Sequence, residues 1–261
     1  MENLSGESFN VEQKLLDFAV SIAKEAGELT LSFFNDLNLE IIKKSDGSPV
    51  TEADKSAERL LRQRITDSFP DDSIIGEEEE NVFGSSGRTW ILDPIDGTQS
   101  FINGVPLFAN LVALEDEHGP AVGVINLPAI NECVWAGRGT GCFADGKQAH
   151  VSSVETLDES CVVTSGIDYW SSLSFFESLS KSGTTIRTWG DAYGYALVAT
   201  GRVDAMIDPI VNKWDVAPML TIIPEAGGVF TDYKNVVTSD GGNALASNKT
   251  LHPLLLASLT D

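Results

Sequence analysis

Apolar residues recur at helical spacing over residues 12–34, where Leu15, Leu16, Phe18, Ala19, Ile22, Ala23, Ala26 and Leu29 share one face. Spacings of three and four residues mark an amphipathic α-helix. A short strand is expected at residues 39–42, then a polar loop with Gly and Pro at 44–49. Thr51 reads as the N-cap of a second helix, and Asp54, three residues on, completes an acidic variant of the capping box. That helix should run to about Ser68, before Phe69-Pro70.

From residue 74 to residue 150 the pattern changes to short apolar runs separated by turns: 74–75, 90–92, 107–114, 121–127, 132–136 and 141–144. These predict a meandering, largely antiparallel sheet. Farther on, strands and helices alternate. Strands at 160–164, near Thr185 and at 205–207 precede helices at 173–179, 192–200 and about 215–225. No internal repeat or clear linker interrupts the chain. The expected fold is α/β (α+β), layered α-β-α-β-α, with a soft boundary near residue 155 dividing 1–155 from 156–261.

Composition narrows the function classes. The chain has 261 residues, 42% of them hydrophobic, enough to bury a sizeable core. No apolar run approaches the ~18 residues of a membrane span, and residues 1–10 are polar and acidic, unlike a signal peptide. Cys133, Cys142 and Cys161 are odd in number and lack CxxC spacing, as expected of reduced thiols in a cytoplasmic protein. A formal net charge of −22 argues against binding nucleic acid or an anionic membrane surface. For most of that charge, solubility is reason enough. A phosphate substrate would require the local field to be reversed, which divalent cations can do.

The segment Asp93-Pro94-Ile95-Asp96-Gly97-Thr98 carries the most chemistry. Trp90-Ile91-Leu92 looks like a buried strand, yet it delivers two carboxylates at its end. Together with the Ile95 carbonyl and the Thr98 hydroxyl, they form an oxygen-only set suited to octahedral Mg2+. Pro94 fixes φ, and Gly97 lets the backbone approach a ligand. Taken alone, the segment is as readily an Asx-turn. Further acids follow the same logic. Glu77 comes directly after a strand, and Glu78 to Glu80 read as a solvated run; Asp215 opens a helix, where it would ordinarily be an N-cap.

Four groups of residues resemble the inositol monophosphatase family, in order and at family spacing across nearly the whole chain. They are Glu52-Ala53-Asp54, Ile75-Gly76-Glu77-Glu78, Asp93 to Thr98, and Trp214-Asp215-Val216-Ala217 with Glu225-Ala226-Gly227-Gly228. The resemblance implies the layered sandwich shared with fructose-1,6-bisphosphatases, two or three Mg2+ ions per site, inhibition by Li+ and a homodimer. By position, Glu77, Asp93 and the Ile95 carbonyl would hold a first ion, and Asp93, Asp96 and Asp215 a second; Glu77 would also reach a third. Thr98, hydrogen-bonded to Asp54, would help to position and deprotonate a metal-bound water, so Glu77, Thr98 and Asp54 form the catalytic set. The amides of Gly97 and Thr98, at a helix N-terminus, would hold phosphate oxygens. His118, His150 and His252 look peripheral, which disfavours phosphohistidine or zinc chemistry.

Two segments bear on the substrate. Gln99-Ser100-Phe101, followed by Ile102-Asn103-Gly104-Val105-Pro106, and Gly190-Asp191-Ala192-Tyr193-Gly194-Tyr195 are more similar to the family's histidinol-phosphatase branch. Gln99 departs from the Lys or Arg common there. Asp191 and Asp208 would receive the ammonium and imidazole of L-histidinol phosphate through charge-assisted hydrogen bonds. The competing role for Asp191 is a helix N-cap, while Tyr193 and Tyr195 read as packing residues. The alternatives are an inositol-1-phosphate or broad sugar-phosphate phosphatase, and a catalytically idle regulatory protein on the same scaffold.

Overall fold

The computed structural model describes residues 9–44 and 47–259. The predicted first helix is α1 (Gln13–Phe33), which buries Leu15, Leu16, Ala19, Ile22, Ala23 and Ala26. A two-stranded antiparallel ribbon follows, of β1 (Ile41–Lys43) and β2 (Pro49–Thr51). Next comes α2 (Glu52–Ser68), whose capping box forms as expected. The Asp54 carboxylate accepts the Thr51 N–H at 2.8 Å and its hydroxyl at 2.6 Å, while the Thr51 Oγ1 accepts from Ala53 N–H. Because Thr51 is fully buried, Thr51→Ala should lower stability by about 1–2 kcal/mol. Urea denaturation at neutral pH checks this; an unchanged midpoint would contradict it.

A seven-stranded sheet takes up β3 (Ser73–Gly76), β4 (Thr89–Asp96), β5 (Ala109–Asp116), β6 (Gly119–Leu127), β7 (Glu132–Gly137), β8 (Gly141–Ala144) and β9 (Lys147–Gln148), in that order. The pair β3–β4 is parallel and every later pair is antiparallel. Between β4 and β5 lies the short helix α3 (Thr98–Ile102).

The second sheet, in the order β11-β10-β12-β14-β13, is mixed. Its elements are β10 (Cys161–Val163), α4 (Ser174–Lys181), β11 (Thr185–Arg187), α5 (Asp191–Ala199), β12 (Ala205–Asp208), α6 (Lys213–Val216), α7 (Met219–Glu225), β13 (Val229–Thr231), β14 (Ala244–Ser247) and α8 (Leu251–Leu259). The expected helix at about 215–225 is in fact α6 and α7, parted at Ala217-Pro218.

The layers are ordered α-β-α-β-α. Helices α1 and α2 cover one face of the large sheet, while α5, α6 and α7 pack on the other; α5 and α7 also touch the small sheet beyond, and α4 and α8 close the far side. Period-two alternation distributes the core. In β5, Val112 and Leu114 join Leu16 and Ile22 of α1, while Leu111 points into the middle layer with Tyr195 and Ile222. With both faces covered, the central strands are near-continuous apolar runs. Helix α5 lies between two sheets and is buried nearly all round, from Tyr195 to Ala199 without a break.

Candidate active site

The acidic residues converge where strands of both sheets end. The β4–β5 ladder shifts register between Asp93, opposite Leu111, and Asp96, opposite Ala109. This bulge turns the end of β4, as bulges re-aim side chains near active sites. Asn110 fills the gap, donating from Nδ2 to the Pro94 carbonyl at 2.7 Å. The Asp93 Oδ1 accepts the Ile95 N–H at 3.0 Å, so the Asx-turn is present within the site rather than instead of it. Gly97 then takes φ 77°, a left-handed conformation natural to glycine, and α3 begins.

Carboxylate oxygens of Asp93, Asp96 and Asp215 all lie within 4.8 Å of one another. Asp215 comes from α6 but does not cap it. Asn212 is the N-cap, and Asp215 is the third helical residue, accepting the Asn212 N–H at 2.7 Å in a second capping box. This corrects the N-cap expectation and leaves the other oxygen of Asp215 free of that bond. Burial, then the charges of Glu77, Asp96 and Asp215, push the Asp93 carboxyl well above its usual range. Asp96 is raised by burial and by Asp191 and Asp215, and Asp215 is pushed up to about 7 by burial, with Glu77, Asp208 and Asp191 adding repulsion. Such a cluster needs a counter-charge. Its all-oxygen donor set, bunched this closely, fits a hard divalent cation such as Mg2+.

Glu77 stands apart from these three. It follows β3 and pairs with Lys44, its Oε1 lying 2.7 Å from the ammonium. Glu78 is no solvated residue, contrary to the sequence reading. Its side chain is nearly buried and lies 2.6 Å from the same ammonium, and burial pushes its carboxyl up to about 7. Only Glu79 and Glu80 are exposed. Helix α2 holds this loop. Glu58 accepts the N–H groups of Glu78 and Glu79, and Arg62 donates to the carbonyls of Glu79 and Glu80.

The expected Thr98–Asp54 hydrogen bond does not form. The Thr98 hydroxyl donates to the Ile95 carbonyl at 3.0 Å, within its own turn, while the Asp54 Oδ2 is taken by the capping box. Asp54 is nonetheless electrostatically near, its carboxyl raised by burial and in part by Glu77.

On the opposite wall, Asp191 is not an N-cap either. Gly190 caps α5 and Asp191 is its first residue, with φ 53°, an uncommon conformation for a residue with a Cβ. A Cβ on Gly97 would lie 3.1 Å from the Asp191 Oδ2, so this carboxylate stands over the Gly97 turn. The neighbouring Ala192 N–H donates to Asp96 at 2.6 Å. Asp208, at the end of β12, is buried. Its Oδ1 accepts the Ser165 N–H and its Oδ2 the Tyr195 hydroxyl, and its carboxyl is pushed up to about 7 by burial. Asp208 therefore braces the wall behind Asp191, and the Ser165 Oγ accepts the Asp191 N–H at 2.8 Å.

Sequence reasoning missed Lys44, Asn110 and Ser165, since a lone Lys, Asn or Ser in a strand or loop carries no motif. Tyr195 is core packing as expected, with its hydroxyl also spent on Asp208. His252 is buried between Thr231 and Ser247 and lowered to about 4 by burial; His118 and His150 are exposed.

Comparison with known proteins agrees with this geometry. The profile described as the inositol monophosphatase family matches residues 11–261. The chain is 41% identical over 248 residues to the histidinol-phosphatase of Chlorobaculum parvum, covering 94% of this chain and 96% of that one. It is 39% identical over 252 residues to the histidinol-phosphatase of Mycobacterium tuberculosis, covering 94% and 97%. Among solved structures, the extragenic suppressor protein suhB of Bartonella henselae superposes with a TM-score of 0.90 at 27% identity, covering 95% of this chain and 99% of that one. The chain belongs to the inositol monophosphatase family.

Proposed function

We propose that the protein is a Mg2+-dependent phosphomonoesterase that hydrolyses L-histidinol phosphate to L-histidinol and phosphate, a step of histidine biosynthesis. The observation that carries this reading is the convergence of Asp93, Asp96 and Asp215 beside the Gly97 turn, in a chain this similar to histidinol-phosphatases. Asp93, Asp96 and Asp215, joined by Glu77 and the Ile95 carbonyl, would hold two or three Mg2+ ions, and Li+ would compete for the site. When bound, these ions lower the pKa of water and offset charge on the phosphoryl group and leaving oxygen.

The chain's own groups supply the rest. Water adds to phosphorus as the ester P–O bond breaks, and the leaving alkoxide takes up a proton. The first-turn N–H groups of α3 lack intrahelical partners and would donate to phosphate oxygens. Thr98, anchored on the Ile95 carbonyl, would orient the attacking water. Asp191 would receive the substrate's ammonium, and Asp208, through Ser165, would keep that loop in place.

The three unpaired cysteines support a reducing, cytoplasmic setting, and among the described residues no helix is long and apolar enough to cross a membrane. A homodimer is proposed from family membership. Steady-state assays with Mg2+ should show kcat/KM for L-histidinol phosphate at least ~10-fold above that for inositol 1-phosphate. The reverse order would replace this reading with an inositol- or sugar-phosphate phosphatase.

A further inference from the structure

Two loops meet above the acidic wall. One follows β10 and carries Ser165, Gly166 and Tyr169; the other follows β11 and carries Trp189, Gly190 and Asp191. They are pressed backbone to backbone, because a Cβ on Gly190 would collide with the Ser165 Cα. The Ser165 Oγ locks the contact by accepting the Asp191 N–H at 2.8 Å.

Each loop carries one large aromatic side chain open to solvent, Tyr169 at 44% exposure and Trp189 at 44%, the latter two residues before Asp191 in the chain. The Tyr169 ring rests on Gly166, with two of its carbons 3.4 Å from where a Cβ would stand. Its phenol is pushed up by burial and by the charges of Asp191, Asp168, Asp208 and Asp215, so it looks onto the same acidic floor. The Trp189 ring carries the Arg187 guanidinium 6.0 Å from its centroid. Among the described residues, neither ring packs against another aromatic ring. Exposed aromatic faces on the two loops that hold Asp191 suit a flat, electron-poor or cationic ring, which they attract by stacking and by the ring quadrupole.

We propose that Tyr169 and Trp189 are specificity-determining residues that read a flat heteroaromatic ring on the leaving group while Asp191 holds its ammonium. The inference rests on the proposed phosphomonoesterase reading and deepens it. It assigns the ring to aromatic side chains, whereas Asp208 is already occupied by Ser165 and Tyr195.

The test is a ratio. For wild type, kcat/KM is measured on L-histidinol phosphate and on 2-aminobutyl phosphate, which keeps the amino group and the ester but lacks the ring. The expected ratio is at least ~10-fold in favour of the ring-bearing ester, since each stacking contact contributes a few-fold to about ten-fold. In Tyr169→Leu/Trp189→Leu the ratio should collapse to within about three-fold, and Tyr169→Phe/Trp189→Phe should restore most of it. Circular dichroism spectra establish that the variants are folded. A wild-type ratio near one, or a ratio that survives the double leucine variant, overturns the inference. Wild type preferring inositol 1-phosphate, yet still showing a ring ratio that the variants abolish, would overturn the histidinol-phosphate reading and leave the ring-reading pair standing.

Discussion

Asp93→Asn is expected to lower kcat by on the order of 10³-fold or more, while leaving the metal-free protein at least as stable as wild type. Asn keeps the shape of the side chain and an oxygen to accept the Ile95 N–H, so the Asx-turn persists. It removes the charge that Glu77, Asp96 and Asp215 repel. The raised carboxyls of the cluster also predict a pH dependence. A carboxyl such as Asp215, raised to about 7 in the fold, keeps its proton where the unfolded chain has released it. Folding then takes up protons, and this contribution to the stability of the metal-free protein falls as pH rises from about 4 to about 7. Asp93→Asn should flatten that slope and abolish most of the Mg2+-dependent rise in Tm. Denaturation in EDTA at two pH values, with a Mg2+ titration of Tm and an activity assay, checks all of this. Wild-type turnover in the variant would remove Asp93 from the reaction, and an unchanged biological effect despite lost turnover would favour a regulatory protein on this scaffold.

The second large effect is expected at a residue that touches no substrate. Asn110→Leu should destabilise the protein by about 2–4 kcal/mol and lower kcat ~10²-fold. Asn110 is fully buried, and its amide both donates and accepts. It donates to the Pro94 carbonyl at 2.7 Å and accepts from the Asn126 Nδ2 at 3.0 Å. Leucine fills a similar volume but strands both groups away from water. It also frees the bulge that holds Asp93 and Asp96 at their present spacing. Urea denaturation and kcat measured together give the answer. A variant that loses stability yet keeps full kcat would show that the bulge holds its shape without Asn110.

Much of this molecule was readable in its residues. The helical spacing of Leu15, Ala19, Ile22 and Ala26 led to α1 within a residue or two of its ends. The Thr51–Asp54 pair specified a capping box that forms as read, because caps are local contacts between residues three apart. Asp93 and Asp96 were identifiable as a pair, since one turn of chain delivers both. Their partner Asp215 was legible as a candidate, but not as the third residue of a helix capped by Asn212. Two capping options a few residues apart have similar local energies, and the contacts of α6 with β4 and β5 choose between them.

Glu78 shows where local reading ends. An acidic run of four is ordinarily solvated, yet Lys44, thirty-odd residues earlier, and the Glu58–Arg62 pair of α2 draw its first half inward. Thr98 and Asp54 illustrate the same limit. Each found a partner within three residues, and these short-range bonds displaced the long-range one that their family positions implied.

By itself, then, the sequence determined most of the helices and strands, the layer order and the kind of chemistry, because periodicity, caps and the Asp93–Thr98 turn are encoded by neighbours along the chain. The tertiary structure alone decided which acids meet. It placed Asp93, Asp96 and Asp215 within one cluster, tied Glu77 and Glu78 to Lys44, turned Asp208 into a brace and left Tyr169 and Trp189 exposed on the two loops that hold Asp191. Charge repulsion, burial and cross-sheet contacts act through space, and no spacing along the chain reports them.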